Sequence, residues 1–211
     1  MMNDYLTKLT TLCAKNSIPN EVIEMQSVYR ENGVPTILTD GLNELLLTLK
    51  IKNPKRILEL GTATGCSAIA MLKTCQNAQL VTIEKNSDIR DIAVQNFKKF
   101  GVFDRIQTIV GDSLDVVMHL PQKFDFIFLD CNKAGYYVLY PLLKDLLNSG
   151  GVIFADNIFF RDYVLGEKDC PKEYRTLVKK IDNYNQLVAN DTDMITTFLN
   201  VGDGIAISVK K

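Results

Sequence analysis

The sequence predicts an α/β fold, a mostly parallel seven-stranded sheet covered by helices and ending in an antiparallel hairpin. Three observations predict it. From Lys55 onward, short apolar segments alternate with amphipathic ones. Those apolar segments are continuous rather than alternating, as strands buried on both faces must be. The last two are separated only by NVGDG, a short glycine-containing turn of hairpin type.

The elements follow in order. Residues 1–53 read as helices: NDYLTKLTTLCAKN, then PNEVIEMQSVYREN, then TDGLNELLLTLK after the GVPTIL break, each with apolar residues at three- and four-residue spacing. RILEL is the first strand, followed by a helix from about Gly65. QLVTIE precedes a helix over residues 87–100, and IQTIV comes next. FDFIFLD leads to a helix through YYVLYPLLKDLLN, and GVIFAD to one through KEYRTLVKKIDNYNQLV. DMITTFL and GIAISVK form the closing pair.

Composition narrows the function. The 211 residues are 46% hydrophobic, enough for one compact core, and 24 basic residues against 25 acidic leave a net charge of −1. No global basic field exists to draw the chain onto nucleic acid or an anionic membrane, so neither DNA nor a membrane is expected as partner, and an RNA would need a local patch. With no signal-type amino terminus and no apolar run near 18 residues, a soluble cytoplasmic protein is expected. The five cysteines are scattered and form no CxxC pair, which favours reduced packing residues over disulfides or zinc. His119, the only histidine, precedes Leu-Pro and reads as a helix-end residue, so histidine-based catalysis is nearly excluded.

In open parallel sheets, ligands bind beyond the carboxyl ends of the strands. The first strand runs into ELGTATGCSAIAM, where Gly61 and Gly65 bracket a tight strand-to-helix turn that lets a ligand approach backbone N–H groups. The second ends in Glu84, placed to accept from ribose hydroxyls; the third ends in Gly111, Asp112 and Ser113; the fourth ends in Asp130. Each alone is a weak signal, because GTATG is not GxGxxG and a strand-end acid is often only a helix N-cap. Four aligned polar strand ends favour a cofactor site.

ELGTATGCSAI, with Glu84, GDS and LDCNK, resembles the Rossmann-like class I S-adenosylmethionine-dependent methyltransferases. More narrowly the chain is similar to their metal-dependent O-methyltransferases of the catechol and caffeoyl-CoA type, from VPTILTDG to VGDGIAIS. The resemblance implies a single domain over residues 1–211, with residues 1–53 forming a cofactor lid and dimer surface on a core at 54–211. It implies that Glu59, Gly61 and Ser67 hold the methionine end of S-adenosylmethionine, and that Thr62, Gly65, Gly111 and Asp130 also contact the cofactor. Glu84 would take the ribose, Asp112 and Ser113 would flank the adenine, and Val34, Thr36 and Ile37 would close over it. Ala63 stands where many class I enzymes have a third glycine, and Cys66 where relatives often carry an aromatic residue.

The fifth strand ends in Asp156-Asn157. With Asp130, these offer two carboxylates and an amide oxygen, a donor set suited to Mg²⁺ rather than zinc. The acids could be unrelated caps; the resemblance assigns all three to the metal. It also implies that Lys133 takes the acceptor's proton, its ammonium form disfavoured by the nearby cation. A chelating acceptor with two adjacent oxygens is expected. The chain resembles most the bacterial tRNA 5-hydroxyuridine methyltransferases, on KIDNYN, VGDGIAISVKK and ADNIFF, which implies a tRNA anticodon loop as partner and 5-methoxyuridine as product. Arg161, Lys168, Lys172, Arg175, Lys179 and Lys180 could meet RNA, and Tyr136, Tyr137 and Phe159 could stack on its base. A solvated helix face and core packing of the two tyrosines fit equally. The rivals are an O-methyltransferase of catechol-like phenols, a nicotinamide-dependent dehydrogenase, and a binding module without chemistry.

Overall fold

The computed structural model describes residues 2–211, with backbone alone at residues 2–4, 6 and 7. Three helices come first: α1 (Met2–Ser17), α2 (Asn20–Glu31) and α3 (Thr39–Lys52). Then follow β1 (Arg56–Leu60), α4 (Cys66–Thr74), β2 (Gln79–Glu84), α5 (Ser87–Lys99), β3 (Ile106–Val110), α6 (Ser113–Val117) and β4 (Phe124–Leu129). The chain continues through α7 (Tyr136–Leu146), β5 (Leu147–Asp156), α8 (Arg175–Ala189), β6 (Met194–Leu199) and β7 (Ile205–Lys210).

The seven strands form one sheet in the order β3-β2-β1-β4-β5-β7-β6. The first five are parallel, and β7 runs antiparallel to both β5 and β6. Successive side chains of a strand point to opposite faces, which explains why the central strands are apolar throughout. Phe126 and Phe128 join Leu42, Leu45 and Leu49 of α3 and Ile69 of α4 on one side. Ile127 and Leu129 join Leu139 and Tyr140 of α7 and Tyr184 of α8 on the other. The strand order reverses between β1 and β4, so the crevice for a ligand opens above their carboxyl ends.

Two boundaries differ from the sequence pattern. α7 stops at Leu146 and β5 begins at once, although the apolar run continued the helical rhythm through Asn148. Leu147 pairs with Phe124, the register then shifts before Phe126–Val152, and Lys210 Nζ donates to the carbonyls of Lys144 and Leu147 at 2.7 and 3.0 Å. Tertiary pairing ends the helix, not its propensity. α6 has only five residues, too short to show a period. His119 follows it, with Nδ1 2.8 Å from the Asp115 carbonyl, in the helix-end position its sequence suggested. No helix among the described residues is long and apolar enough to cross a membrane.

Candidate active site

The glycine turn is made by contact. Gly61 has φ +100°, and a Cβ there would collide with the Asp130 carbonyl, so β1 and β4 can approach only through glycine. Gly65 has φ +86°, and a Cβ would run into the Phe97 ring. Ala63 takes φ +44°, a conformation glycine adopts more easily, and its N–H donates to Glu84 Oε2 at 3.0 Å. Asn86 N–H donates to the other oxygen, Oε1, at 3.0 Å. The end of β2 is thus clamped to the turn by two charge-assisted bonds.

Beneath the turn lies Glu59, fully buried. It accepts from Ser67 Oγ at 2.5 Å and Thr82 Oγ1 at 2.6 Å, and Thr82 is in turn 2.5 Å from Thr62 Oγ1. Burial drives its pKa up to about 8, against the two hydroxyl bonds that pull it down.

A cleft of about 700 Å³ opens above the sheet. Of the predicted residues, Val34, Thr36, Ile37, Gly61, Glu84, Asp112, Ser113, Asp130, Lys133 and Asn157 line it. Thr62 and Gly65 belong to the turn itself and Glu59 and Ser67 lie beneath it; none of the four forms the cleft wall. Gly111 is explained by packing, since a Cβ would meet Val116 at 2.8 Å. Asp112 caps α6 through Leu114 N–H at 3.0 Å and pairs with Lys85 at 3.1 Å, which hold its carboxyl below the usual range. The cap and the cleft position coexist. The 34–37 loop is held by α2: Gln26 Nε2 and an Arg30 NH2 group each donate to the Ile37 carbonyl at 3.1 Å. A second cavity of about 750 Å³, bordered by Cys13, Lys50, Asn53 and Lys73, contains no strand-end acid.

The other end of the cleft is electrostatically different. Lys133 Nζ donates to Asp130 Oδ1 at 2.7 Å, and both side chains are 21% exposed. Asp156 is only 2% exposed, and its Oδ1 accepts from the Asn157 N–H at 2.8 Å. Burial first and the Asp130 charge second push its carboxyl well above the normal range. At Lys133 burial works to lower the pKa, but the Asp130 charge and hydrogen bond win, and the amine by itself is held above its usual value. Among the described residues no group of three or more His, Cys, Asp or Glu could hold a metal ion. The predicted ligands are instead two carboxylates and an amide. Asp156 is buried beside the charge of Asp130, and with the Asn157 amide the three side chains offer oxygen donors of the kind a hard divalent cation takes.

Tyr136 corrects an expectation. It is wholly buried, its hydroxyl donates to the Leu129 carbonyl at 2.9 Å, and its ring packs edge-on against Tyr184, so it cannot stack on an acceptor. Tyr137 is exposed and lies outside the cleft wall. Phe159 is half-buried against the α7–α8 core. Arg161 is exposed, its guanidinium 5.8 Å from the Phe160 ring centre and 5.6 Å from that of Tyr174. Sequence reasoning passed over Asp203, whose charge reaches Asp156 and whose carboxylate accepts from the Arg161 N–H at 2.5 Å. Its only signal was an acid between two glycines, which reads as ordinary turn chemistry.

Residues 20–211 match the family described as O-methyltransferase. The chain belongs to the O-methyltransferase family. A caffeoyl-CoA O-methyltransferase of Medicago sativa is 27% identical over 215 residues, covering 96% of this chain and 85% of that protein. The SAH-bound methyltransferase PaMTH1 of Podospora anserina superposes with a TM-score of 0.86 at 28% identity, covering 99% of this chain and 96% of that one. An O-methyltransferase of Bacillus cereus in complex with SAH has a TM-score of 0.78 at 25% identity, covering 92% and 91%. The protein is an S-adenosylmethionine-dependent methyltransferase, and the dehydrogenase and non-catalytic rivals are set aside.

Proposed function

We propose that this family member methylates one of two adjacent oxygens on a small catechol-type phenol, with a divalent cation held by Asp130, Asp156 and Asn157. The observation that carries the reading is that the buried Asp156 carboxylate feels the charge of Asp130, which lines the cleft one strand over from the Gly61 turn. The caffeoyl-CoA enzymes among its relatives support the same acceptor class. A bound cation would supply charge that stabilises the acceptor's oxyanion.

The chain's own groups do the rest. The Gly61–Gly65 turn and the Glu84 carboxylate border the cofactor half of the cleft, while Val34 to Ile37 form the wall above it. Lys133 Nζ borders the acceptor half and is the amine placed to receive the hydroxyl proton. The Asp130 charge and hydrogen bond, with the Asp156 charge behind them, hold that amine's pKa up, so a cation drawing on both carboxylates would weaken that support and let burial lower it. Catalysis is then positioning of oxygen against the methyl group. No covalent enzyme intermediate is needed.

None of the relatives named above is described as acting on RNA. The tRNA 5-hydroxyuridine acceptor expected from the sequence draws its support from exposed Arg161 with its aromatic neighbours and from the exposed Lys172, Arg175, Lys179 and Lys180. The experiment separates the two. Labelled S-adenosylmethionine and Mg²⁺ are incubated with caffeate or caffeoyl-CoA in one arm, and with undermodified tRNA carrying 5-hydroxyuridine in the other. Label in the phenols, lost in EDTA, is the expected result. Label only in tRNA would replace the acceptor, and full activity in EDTA would remove the metal.

A further inference from the structure

The wall of the cofactor half, residues 34–37, is built as an extension of α2. At the end of that helix Gly33 has φ +77°, its N–H donates to the Arg30 carbonyl at 3.0 Å, and the Val34 N–H donates to the Tyr29 carbonyl at 2.9 Å. These two bonds around a left-handed glycine are the Schellman way of ending a helix, and they fix the direction in which the wall leaves it. Further along, one Arg30 guanidinium nitrogen donates to Thr36 Oγ1 at 3.2 Å and to the Ile37 carbonyl at 3.1 Å, which also accepts from Gln26 Nε2 at 3.1 Å.

The floor, the Gly61–Gly65 turn, is tied to the same helix from the other side. Asn96 of α5 donates from Nδ2 to the Thr64 carbonyl and to the Tyr29 hydroxyl oxygen, both at 2.9 Å. A carbonyl can only accept, so the amide nitrogen is the group that faces the turn, and its two hydrogens serve the two partners. Beside it Phe97 packs against Gly65. Tyr29 is thus a joint: its carbonyl holds the start of the wall, and its hydroxyl, through Asn96, holds the floor. Neither Tyr29 nor Asn96 lines the cleft; both border a separate cavity of about 580 Å³ with Met25, Val28 and Phe100.

We propose that Tyr29 and Asn96 are positioning residues for S-adenosylmethionine: the hydrogen bond between them sets the spacing of wall and floor in the cofactor half. A cleft whose sides already stand at the ligand's width spares it the ordering that a loose wall would demand on binding. One hydrogen bond of this kind is worth roughly two- to tenfold in an equilibrium constant. The pair acts on the cofactor half alone, and no cation is needed for it.

The test measures S-adenosylhomocysteine affinity by calorimetry, and hydrogen exchange at the Val34 amide before ligand is added. The wild type is compared with Tyr29→Phe, Asn96→Leu, the double variant, and Lys144→Met as a stability control. Lys144→Met breaks an ion pair with Asp191, neither of which lines the cleft, and should leave the affinity unchanged. Tyr29→Phe is expected to weaken S-adenosylhomocysteine about three- to tenfold. Asn96→Leu should cost at least as much, since it also frees the Thr64 carbonyl. The double variant should be no weaker than Asn96→Leu alone, because the pair acts through one bond. Exchange at Val34 should quicken in both single variants. Affinities within about twofold of wild type in the single variants, or losses that multiply in the double, would overturn the proposal. Unchanged exchange at Val34 would overturn it too, and so would an equal loss of affinity in Lys144→Met, which would mean that lower stability alone weakens the site. Should Asn96→Leu fail to fold, Tyr29→Phe decides by itself, since it removes a single oxygen.

Discussion

The two halves of the cleft are built on opposite principles. On the cofactor side, acids at strand ends are satisfied by backbone. Glu84 takes the N–H groups of Ala63 and Asn86, and Asp112 takes that of Leu114 with Lys85 beside it. On the acceptor side, Asp156 has one backbone donor and faces the charges of Asp130 and Asp203, while Asp130 relies on Lys133. The first half is therefore fixed by the fold. The second stores electrostatic tension, the state in which a side chain's charge answers to whatever binds. The difference teaches that an acid at a strand end says little until its donors are known.

Three substitutions would break or sharpen that contrast. The largest effect is expected from Asp156→Ala. On the proposed metal reading it should lower methyl transfer on the order of 10³-fold, since losing the cation would remove several kcal/mol of oxyanion stabilisation. S-adenosylhomocysteine binding, measured by calorimetry, should stay within a few-fold, because that half does not depend on Asp156. A comparable loss of both would erase the division.

Glu84→Ala should do the reverse. It frees the Ala63 and Asn86 N–H groups and removes a carboxylate from the cofactor wall. Bonds to a charged partner are worth about 1.5–3 kcal/mol, so S-adenosylhomocysteine affinity should fall roughly 10- to 100-fold. Mn²⁺ affinity should be unchanged. Weakened Mn²⁺ binding in this variant would mean that the halves are coupled through the turn.

The smallest effect concerns the support beneath. Glu59 is raised from 4.5 to about 8. Between those values the folded chain keeps a proton that the unfolded chain releases, so stability should fall as pH rises from about 4.5 to 8 and level off above. Glu59→Gln, which is neutral throughout, should flatten that segment of the melting-temperature profile by an amount equivalent to a few kcal/mol across the range. An identical slope in wild type and variant would show that burial of Glu59 is not what governs it.

Much of this was readable beforehand. Central strands declare themselves because burial on both faces demands unbroken apolar runs, as in FDFIFL. The glycine turn is readable because positive φ and close approach leave few alternatives. Four strand-end positions, Gly61, Glu84, Asp112 and Asp130, do line one cleft. Other features were not legible. Tyr136 follows the acid by six residues in a sequence that suits a cleft wall, yet its ring turns into the core to pack on Tyr184, a partner 48 positions away. The direction of the Lys133 shift depended on a 2.7 Å bond to Asp130. Asp203 looked like turn chemistry because its hydrogen-bond partner, Arg161, lies on another loop.

The sequence by itself determined which segments are buried, where the chain must turn, and which side chains stand at strand ends, because these follow from periodicity and from the backbone freedom of single residues. Only the tertiary structure decided which of those side chains face the cleft and which protons they keep. Orientation and pKa are set by neighbours brought together from distant positions, and a donor 3 Å away outweighs any local preference along the chain.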